Sequence, residues 1–344
     1  MTGAAQTNRL RLAITATAAT LFTLGATALT LWLLNSSVYS ASSFVERYLS
    51  AIAGDHVAEA LHTPGVTLTS AQREALGMPA TTSTALLQPG MLSAGPGQVR
   101  VTGDETASDG THTVTVTFSL AGVASTASYQ VSPRPALFGV VNQWAFAQSP
   151  LQLLTVTVQH HTHFTVGGIT LDTRANGSDD PSAFNQTGHY LAFAPASYQL
   201  SYSSQLVAAS PTLVTVMPDQ TNTATVDVQP TAALTEKVQR QLNDFLAQCV
   251  TQEVLQPTGC PFGEAIDDRV VSTPVWTIVA NPTVTLAPGE NGFVMPPTPG
   301  VVHLTVDVQS LFDGTTSTLS KDVEYEVALT VQLRDDGSIA IQLR

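Results

Sequence analysis

The longest hydrophobic run in the chain, residues 12–34, contains no charged residue. Crossing the roughly 30 Å hydrocarbon core of a bilayer takes about 20 helical residues, so the run is long enough. Its threonine hydroxyls can bond to carbonyls of the preceding helical turn, and Trp32 near one end suits the headgroup layer. The pattern predicts a transmembrane helix over residues 12–34, with the lipid bilayer as its partner.

Charge on one side of this run predicts its orientation. Arg9 and Arg11 precede it and the first acidic residue is Glu46, so residues 1–11 are expected in the cytoplasm and the rest outside it. A cleaved signal peptide is the alternative, with residues 38–40 as the cleavage region. The hydrophobic part of a signal peptide is usually about 7–15 residues, which favours the anchor.

Beyond a short linker, residues 35–42, hydrophobic positions recur every three or four residues over residues 43–54, which indicates an amphipathic helix. Ser43 and Glu46 have the spacing of a capping box. Two further short helices are expected after it, the first of them capped by Asp55.

The pattern then changes to alternation. Hydrophobic and hydroxyl-bearing residues alternate strictly over residues 113–120, which is typical of a strand with one buried face. Similar runs predict strands at residues 98–101, 126–131 and 140–147. Helices followed by antiparallel strands indicate an α+β domain over residues 43–152.

The middle of the chain, residues 153–230, has no helical periodicity. Short hydrophobic runs are separated there by turn sequences such as Gly167–Gly168 and by prolines. This pattern predicts a small β-sandwich domain.

The most regular helical pattern follows Thr231 and opens a third domain, residues 231–344. Alternating strands come next, and the turn at residues 335–337 leads into a last strand that ends the chain. Because the chain stops inside a paired strand, trimming the C-terminus is expected to damage this domain. The hydrophobic stripe of the helix consists of Leu234, Val238, Leu242, Phe245, Leu246, Cys249 and Val250.

Composition narrows the possible partners. The formal net charge is −13, charged residues make up only 11% of the chain, and the two lysines are Lys237 and Lys321. Nucleic-acid binding needs a basic surface, so nucleic acid is excluded as a partner.

The two cysteines, Cys249 and Cys260, lie close together in the sequence. Outside the cytoplasm such a pair is typical of a disulfide. It would tie the end of the third domain's helix to the loop that follows.

Two family resemblances bear on the fold. The helix-then-sheet order of the first and third domains, with the motif Tyr-Leu-x-Ala-Ile-Ala-Gly-Asp at residues 48–55, resembles cystatin-like or nuclear-transport-factor-like cones of secreted actinobacterial proteins. Residues 193–200, with Pro195 and Tyr198, resemble the Pro-x-x-Tyr strand entry of PEGA-type surface domains, although Ala196 replaces the usual glycine. The expected fold class is therefore a single transmembrane helix followed by two cystatin-like domains that flank a β-sandwich.

This order of domains resembles the extracytoplasmic region of teicoplanin-resistance-associated (TcaA-type) membrane proteins of Gram-positive bacteria. The resemblance implies a non-enzymatic envelope protein that senses or maintains the cell wall. Many such proteins begin with a cytoplasmic zinc ribbon, whereas residues 1–11 contain no cysteine. A zinc-dependent cytoplasmic role is therefore not expected.

Candidate chemistry is sparse. His161 and His163 would share one face of a strand and could ligate a metal, with His189 or Asp172 as distant further ligands, but the alternative of a solvated strand edge is favoured. No metal, cofactor or catalytic residue is therefore predicted. The chain has neither a Gly-x-Ser-x-Gly nor a His-Glu-x-x-His motif.

Trp144 and Trp276 are candidates to line pockets at the mouths of the two cones, with ordinary core packing as the alternative.

Together these observations predict an anchored, extracytoplasmic binding or scaffold protein of a Gram-positive envelope, whose partner is a cell-wall component or another envelope protein. The alternative is a secreted or anchored enzyme that uses a cone pocket. A deep pocket with histidine or carboxylate groups would favour the enzyme, and filled cones would favour the scaffold.

Overall fold

The computed structural model describes residues 22, 25–176, 184–334 and 336–344. Sheet predominates over helix in it, which confirms the predicted mixed α+β class. Residues 25–36 are helical, and Trp32 is exposed there. Arg9, Arg11 and much of the predicted span lie outside the described residues. Within the part that is described, no helix combines the length and hydrophobicity that crossing a bilayer requires.

Three helices follow residues 25–36 and are numbered from here: α1 (Ala41–Ala53), α2 (Val57–His62) and α3 (Ser70–Ala75). Ser40 caps α1, because its hydroxyl accepts a hydrogen bond from the Ser43 N–H at 3.1 Å. The predicted capping box of Ser43 and Glu46 is therefore wrong. Asp55 does not cap α2 either. It has a positive φ of 53°, and its carboxylate accepts a hydrogen bond from the Gly90 N–H at 2.8 Å.

An antiparallel four-stranded sheet follows, formed in order by β1 (Gly97–Thr106), β2 (His112–Leu120), β3 (Val123–Leu137) and β4 (Val141–Phe146). Apolar residues on alternate positions of β2 are buried, which confirms the alternation predicted for that strand. The α1 helix packs on this sheet through aromatic rings, with Phe44 and Tyr48 placing their centroids 5.1 and 4.9 Å from that of Phe146. Residues 41–146 are called the N-terminal unit below.

The middle unit, residues 152–230, contains two sheets. Its elements are β5 (Gln152–Gln159), β6 (His163–Val166), β7 (Ile169–Asp172), a 3-10 helix (Thr173–Asn176), β8 (Gln186–Ala192), β9 (Ala196–Ser203), β10 (Val207–Val216), β11 (Asn222–Asp227) and β12 (Gln229–Pro230). One sheet has five strands in the order β12-β10-β9-β6-β7, and the other has three in the order β11-β5-β8, with β11 and β5 parallel.

The C-terminal unit, residues 231–344, begins with α4 (Ala232–Cys249), whose N-cap is Thr231. The strands are β13 (Arg269–Val270), β14 (Val275–Ala280), β15 (Ala287–Pro288), β16 (Phe293–Gln309), β17 (Thr316–Leu333) and β18 (Ile339–Leu343). The long strand β16 pairs with β17 along its length and, on its other edge, with β13, β14 and β15 in turn. The last strand, β18, pairs with the end of β17.

Within the N-terminal unit, the stretch between α3 and β1, residues 76–96, is called the linking segment because it also bonds to the middle unit. Its Ser83 donates a backbone hydrogen bond to the His189 carbonyl at 2.9 Å and accepts one from Leu191 at 2.8 Å. Further along, Ala94 and Ser197 form an antiparallel bridge. The segment therefore extends the hydrogen bonding of the middle unit, and buried apolar residues of all three units form one cluster.

Candidate binding cleft

A cleft of about 780 Å³ lies between the middle and C-terminal units. The middle unit contributes the β5–β6 connection, the 3-10 helix and the β9–β10 turn. The C-terminal unit contributes α4, the start of β16 and the β17–β18 turn. The lining residues are His160, His161, Thr162, His163, Arg174, Phe184, Tyr202, Ser204, Gln205, Leu206, Lys237, Asn291, Gly292, Gln332, Leu333, Arg334 and Gly337.

The lining differs in charge from the rest of the chain. Arg174, Lys237 and Arg334 line the cleft together with three histidines, and no carboxylate is among the lining residues in the described part of the chain. The whole chain carries a net charge of −13 and only 13 lysines and arginines. Cationic side chains that line a concave site attract anions, and the Asp172 carboxylate bonded to Arg174 offsets part of this charge.

Arg174 is held in place by Asp172. Its Nε lies 3.1 Å from both carboxylate oxygens, and its Nη2 lies 2.8 Å from Oδ2. The His163 Nε2 lies 3.6 Å from the same oxygen. Burial alone would raise the pKa of Asp172, but the hydrogen bonds from Arg174 and the charges of His163 and Arg174 outweigh it and lower that pKa. The carboxylate therefore stays ionised and fixes the guanidinium beside the cleft.

His160 is oriented by its surroundings. Its Nδ1 lies 2.9 Å from Asp227 Oδ1 and 3.3 Å from the Val228 carbonyl oxygen, so this nitrogen carries the proton. Its ring lies against Phe184, with centroids 5.3 Å apart, and Phe184 in turn packs edge-on against Phe293 of the C-terminal unit. These rings join the two units beside the cleft.

The predicted histidine pair is close together, but only His163 lies on a strand. His161 lies in the β5–β6 connection, not on a strand, and its ring centroid is 5.3 Å from that of His163. The His161 Nδ1 accepts a hydrogen bond from the His163 N–H at 3.0 Å, and its ring stacks near Tyr202. His189 lies elsewhere, against Thr155 of β5. Within the described residues, no three potential ligands are grouped to hold a metal ion.

The two tryptophans proposed for cone pockets are tied to backbone carbonyls. The Trp144 Nε1–H donates to the Tyr39 carbonyl, and the Trp276 Nε1–H donates to the Val254 carbonyl, both at 2.8 Å. Trp276 is buried and packs on Phe262, with ring centroids 5.2 Å apart. Neither tryptophan lines the cleft.

The predicted disulfide between Cys249 and Cys260 is confirmed. It joins the end of α4 to the loop whose Val254 carbonyl accepts the Trp276 hydrogen bond. Neither cysteine lines the cleft between the middle and C-terminal units.

A Ser–His–Asp arrangement on the β16–β17 hairpin had no signal in the sequence. The His303 Nδ1 lies 2.6 Å from Asp322 Oδ1, and its Nε2 lies 2.9 Å from Ser320 Oγ. Hydrolysis by such a triad also needs a substrate cavity and donors for the oxyanion. These side chains lie on the exposed side of a hairpin, and none of them lines the cleft. The arrangement is therefore a cross-strand polar network of the sheet surface.

Sequence reasoning also missed the cationic residues of the cleft. Arg174, Lys237 and Arg334 are separated by 63 and 97 positions, and none belongs to a motif.

Comparison of the chain with protein-family models, with curated proteins and with solved structures finds no match in any of the three.

Proposed function

We propose that this protein is a membrane-anchored, extracytoplasmic binding protein of a Gram-positive cell envelope, and that its cleft binds an anionic, hydroxyl-bearing component of the cell wall. The observation that carries the proposal is the cationic lining of the cleft on a strongly acidic chain. The disulfide between Cys249 and Cys260 supports a location outside the cytoplasm, because structural disulfides persist in oxidising compartments.

The polar lining supports a ligand rich in hydroxyl groups. Tyr202, Ser204 and Gln205 line one wall, and Asn291 and Gln332 line the opposite one. Hydroxyl and amide groups of this kind bond to sugar or polyol hydroxyls as donors and as acceptors. Together with the arginines and the lysine, they suit a phosphate-bearing glycopolymer better than an apolar peptide.

The assignment of the outer units as cystatin-like, of the middle unit as PEGA-like, and of the whole chain as TcaA-type is part of this proposal. It is supported by the order helix then antiparallel sheet in both outer units. The interior of the N-terminal unit is filled by rings, since Phe44, Tyr48 and Tyr129 all contact Phe146. A filled interior favours binding at the cleft over catalysis inside that unit.

The proposal is tested by titrating the full chain, in lipid nanodiscs, with poly(glycerol phosphate) and with neutral dextran as the uncharged control. The double variant Lys237→Ala with Arg334→Ala is expected to bind the phosphate polymer roughly tenfold more weakly, because it loses two charge-assisted contacts. Arg240→Ala is the matched control, since Arg240 lies on α4 but outside the cleft and near Glu236.

Binding of the phosphate polymer by the unmodified chain should also weaken as salt is added, because the Debye screening length falls to about 10 Å at 0.1 M ionic strength. Equal binding of polymer and dextran, or equal affinity of the double variant and the Arg240→Ala control, would contradict the proposal.

A further inference from the structure

The turn between β3 and β4 exposes an apolar tip, residues 137–140. Phe138 is 88% exposed, and Leu137 and Val140 are each 46% exposed. The sequence from residue 135 to residue 143 contains no charged side chain. A solvent-facing phenylalanine between two aliphatic residues is unfavourable in water, and an apolar, charge-free tip is suited to a lipid interface.

The tip is held against the segment that directly follows the predicted span. The side-chain amide of Asn35 donates to the Val140 carbonyl at 2.8 Å, and its Oδ1 accepts from the Asn142 N–H at 3.1 Å. A second tie is the Trp144 Nε1–H bond to the Tyr39 carbonyl. Because Asn35 makes both bonds, the tip lies beside the end of the run at residues 12–34.

Exposed apolar side chains continue from the tip along this junction. Trp32, Leu33 and Val38 are 63%, 51% and 49% exposed. Tryptophan is typical of the membrane–water interface, and phenylalanine is among the apolar residues that segments lying in the interface bury there. The hairpin tip and the helix end therefore form one apolar surface at the place where the chain would leave the membrane.

We propose that the β3–β4 tip, residues 137–140, inserts into the interface of the outer leaflet beside the anchor. The inference rests on the proposed anchoring of residues 12–34, and its occupant is the lipid surface. With two contact points, the helix and the hairpin, the N-terminal unit has a defined orientation on the membrane and does not swing freely on its linker.

The test uses the full chain reconstituted in phosphatidylcholine–phosphatidylglycerol vesicles, with Phe138→Cys carrying an environment-sensitive fluorophore. Because Cys249 and Cys260 are paired in a disulfide, only the new thiol reacts. Nitroxide-labelled lipids are expected to reduce the emission about twofold, since the label would lie at the headgroup–acyl boundary. The matched control is Phe312→Cys, which replaces a fully exposed phenylalanine on the β16–β17 turn.

Quenching at residue 138 without quenching at residue 312 supports the proposal. Equal quenching at both positions, or quenching at neither, overturns it. Self-quenching of the fluorophore at high protein density without quenching by nitroxide also overturns it, because the tip would then contact a second copy of the chain. Flotation of the vesicles reports the anchor separately. A chain that floats with a water-exposed label overturns the hairpin proposal alone, and a chain that does not float overturns the anchor as well.

Discussion

At the scale of single residues, two adjacent glycines of the β6–β7 turn have different surroundings. Both have positive φ, 54° at Gly167 and 78° at Gly168. A Cβ added at Gly167 would collide with the Gly90 carbonyl of the linking segment and lie 2.9 Å from the Met91 Cα, whereas one added at Gly168 would meet nothing within 4 Å. Gly167 is therefore needed for a contact between units, and Gly168 only for its turn.

This difference predicts unequal effects of alanine at the two positions. Gly167→Ala should lower the free energy of unfolding by at least about 2 kcal/mol, because backbone strain and a clash with main-chain atoms add. Gly168→Ala should lower it by about 1 kcal/mol from the left-handed conformation alone. Chemical denaturation of the two variants measures the difference, and equal losses would contradict the packing role of Gly167.

Residue-level chemistry was the hardest part to predict from the sequence. Ser320 and Asp322 could be assigned to one face of a strand by their spacing, but only the register of β16 and β17 places His303 opposite Asp322. Arg174 and Lys237 likewise meet at one cleft only because the middle and C-terminal units pack together. Such pairs depend on contacts between distant parts of the chain, for which local patterns carry no information.

At the scale of elements, α4 combines a predicted helix with a predicted covalent link. Its cap, Thr231, accepts a hydrogen bond from the Leu234 N–H at 3.3 Å, and Leu234, Val238 and Leu246 are fully buried along the expected stripe.

The cap of α1 was predicted wrongly, because Ser40 and Ser43 are both suitable residues and only the path of the preceding chain decides between them.

The disulfide should stabilise the C-terminal unit through the loop it closes. Replacing both Cys249 and Cys260 by alanine is expected to lower the free energy of unfolding by roughly 3 kcal/mol, the value of a short loop in the chain-entropy model. Denaturation with and without reductant provides the check. Reductant should destabilise the unmodified chain and leave the double variant unchanged, and a variant as stable as the oxidised chain would contradict this role.

At the scale of the whole molecule, the linking segment makes the N-terminal and middle units depend on each other. Gly90 bonds back to Asp55 beside α1, while Ser83 and Ala94 bond to strands of the middle unit. The segment as a whole therefore bonds to both units.

Ser83→Pro tests this dependence, because proline removes the N–H that bonds to the His189 carbonyl. A loss of about 2 kcal/mol is expected, with faster amide hydrogen exchange in both α1 and β8. Ser83→Ala is the control that keeps the backbone donor and should have a smaller effect. Faster exchange confined to β8 would show that the units are independent.

The sequence by itself determined the α+β class, the amphipathic helix α4, the alternating strand β2 and the pairing of Cys249 with Cys260. Each of these follows from residue spacing or from residue count, which act over a few positions or leave a single choice. The tertiary structure alone decided the strand register, the joining of the units through residues 76–96, and the collection of cationic side chains in one cleft. Those features depend on which distant surfaces pack together, and packing is a property of the folded chain as a whole.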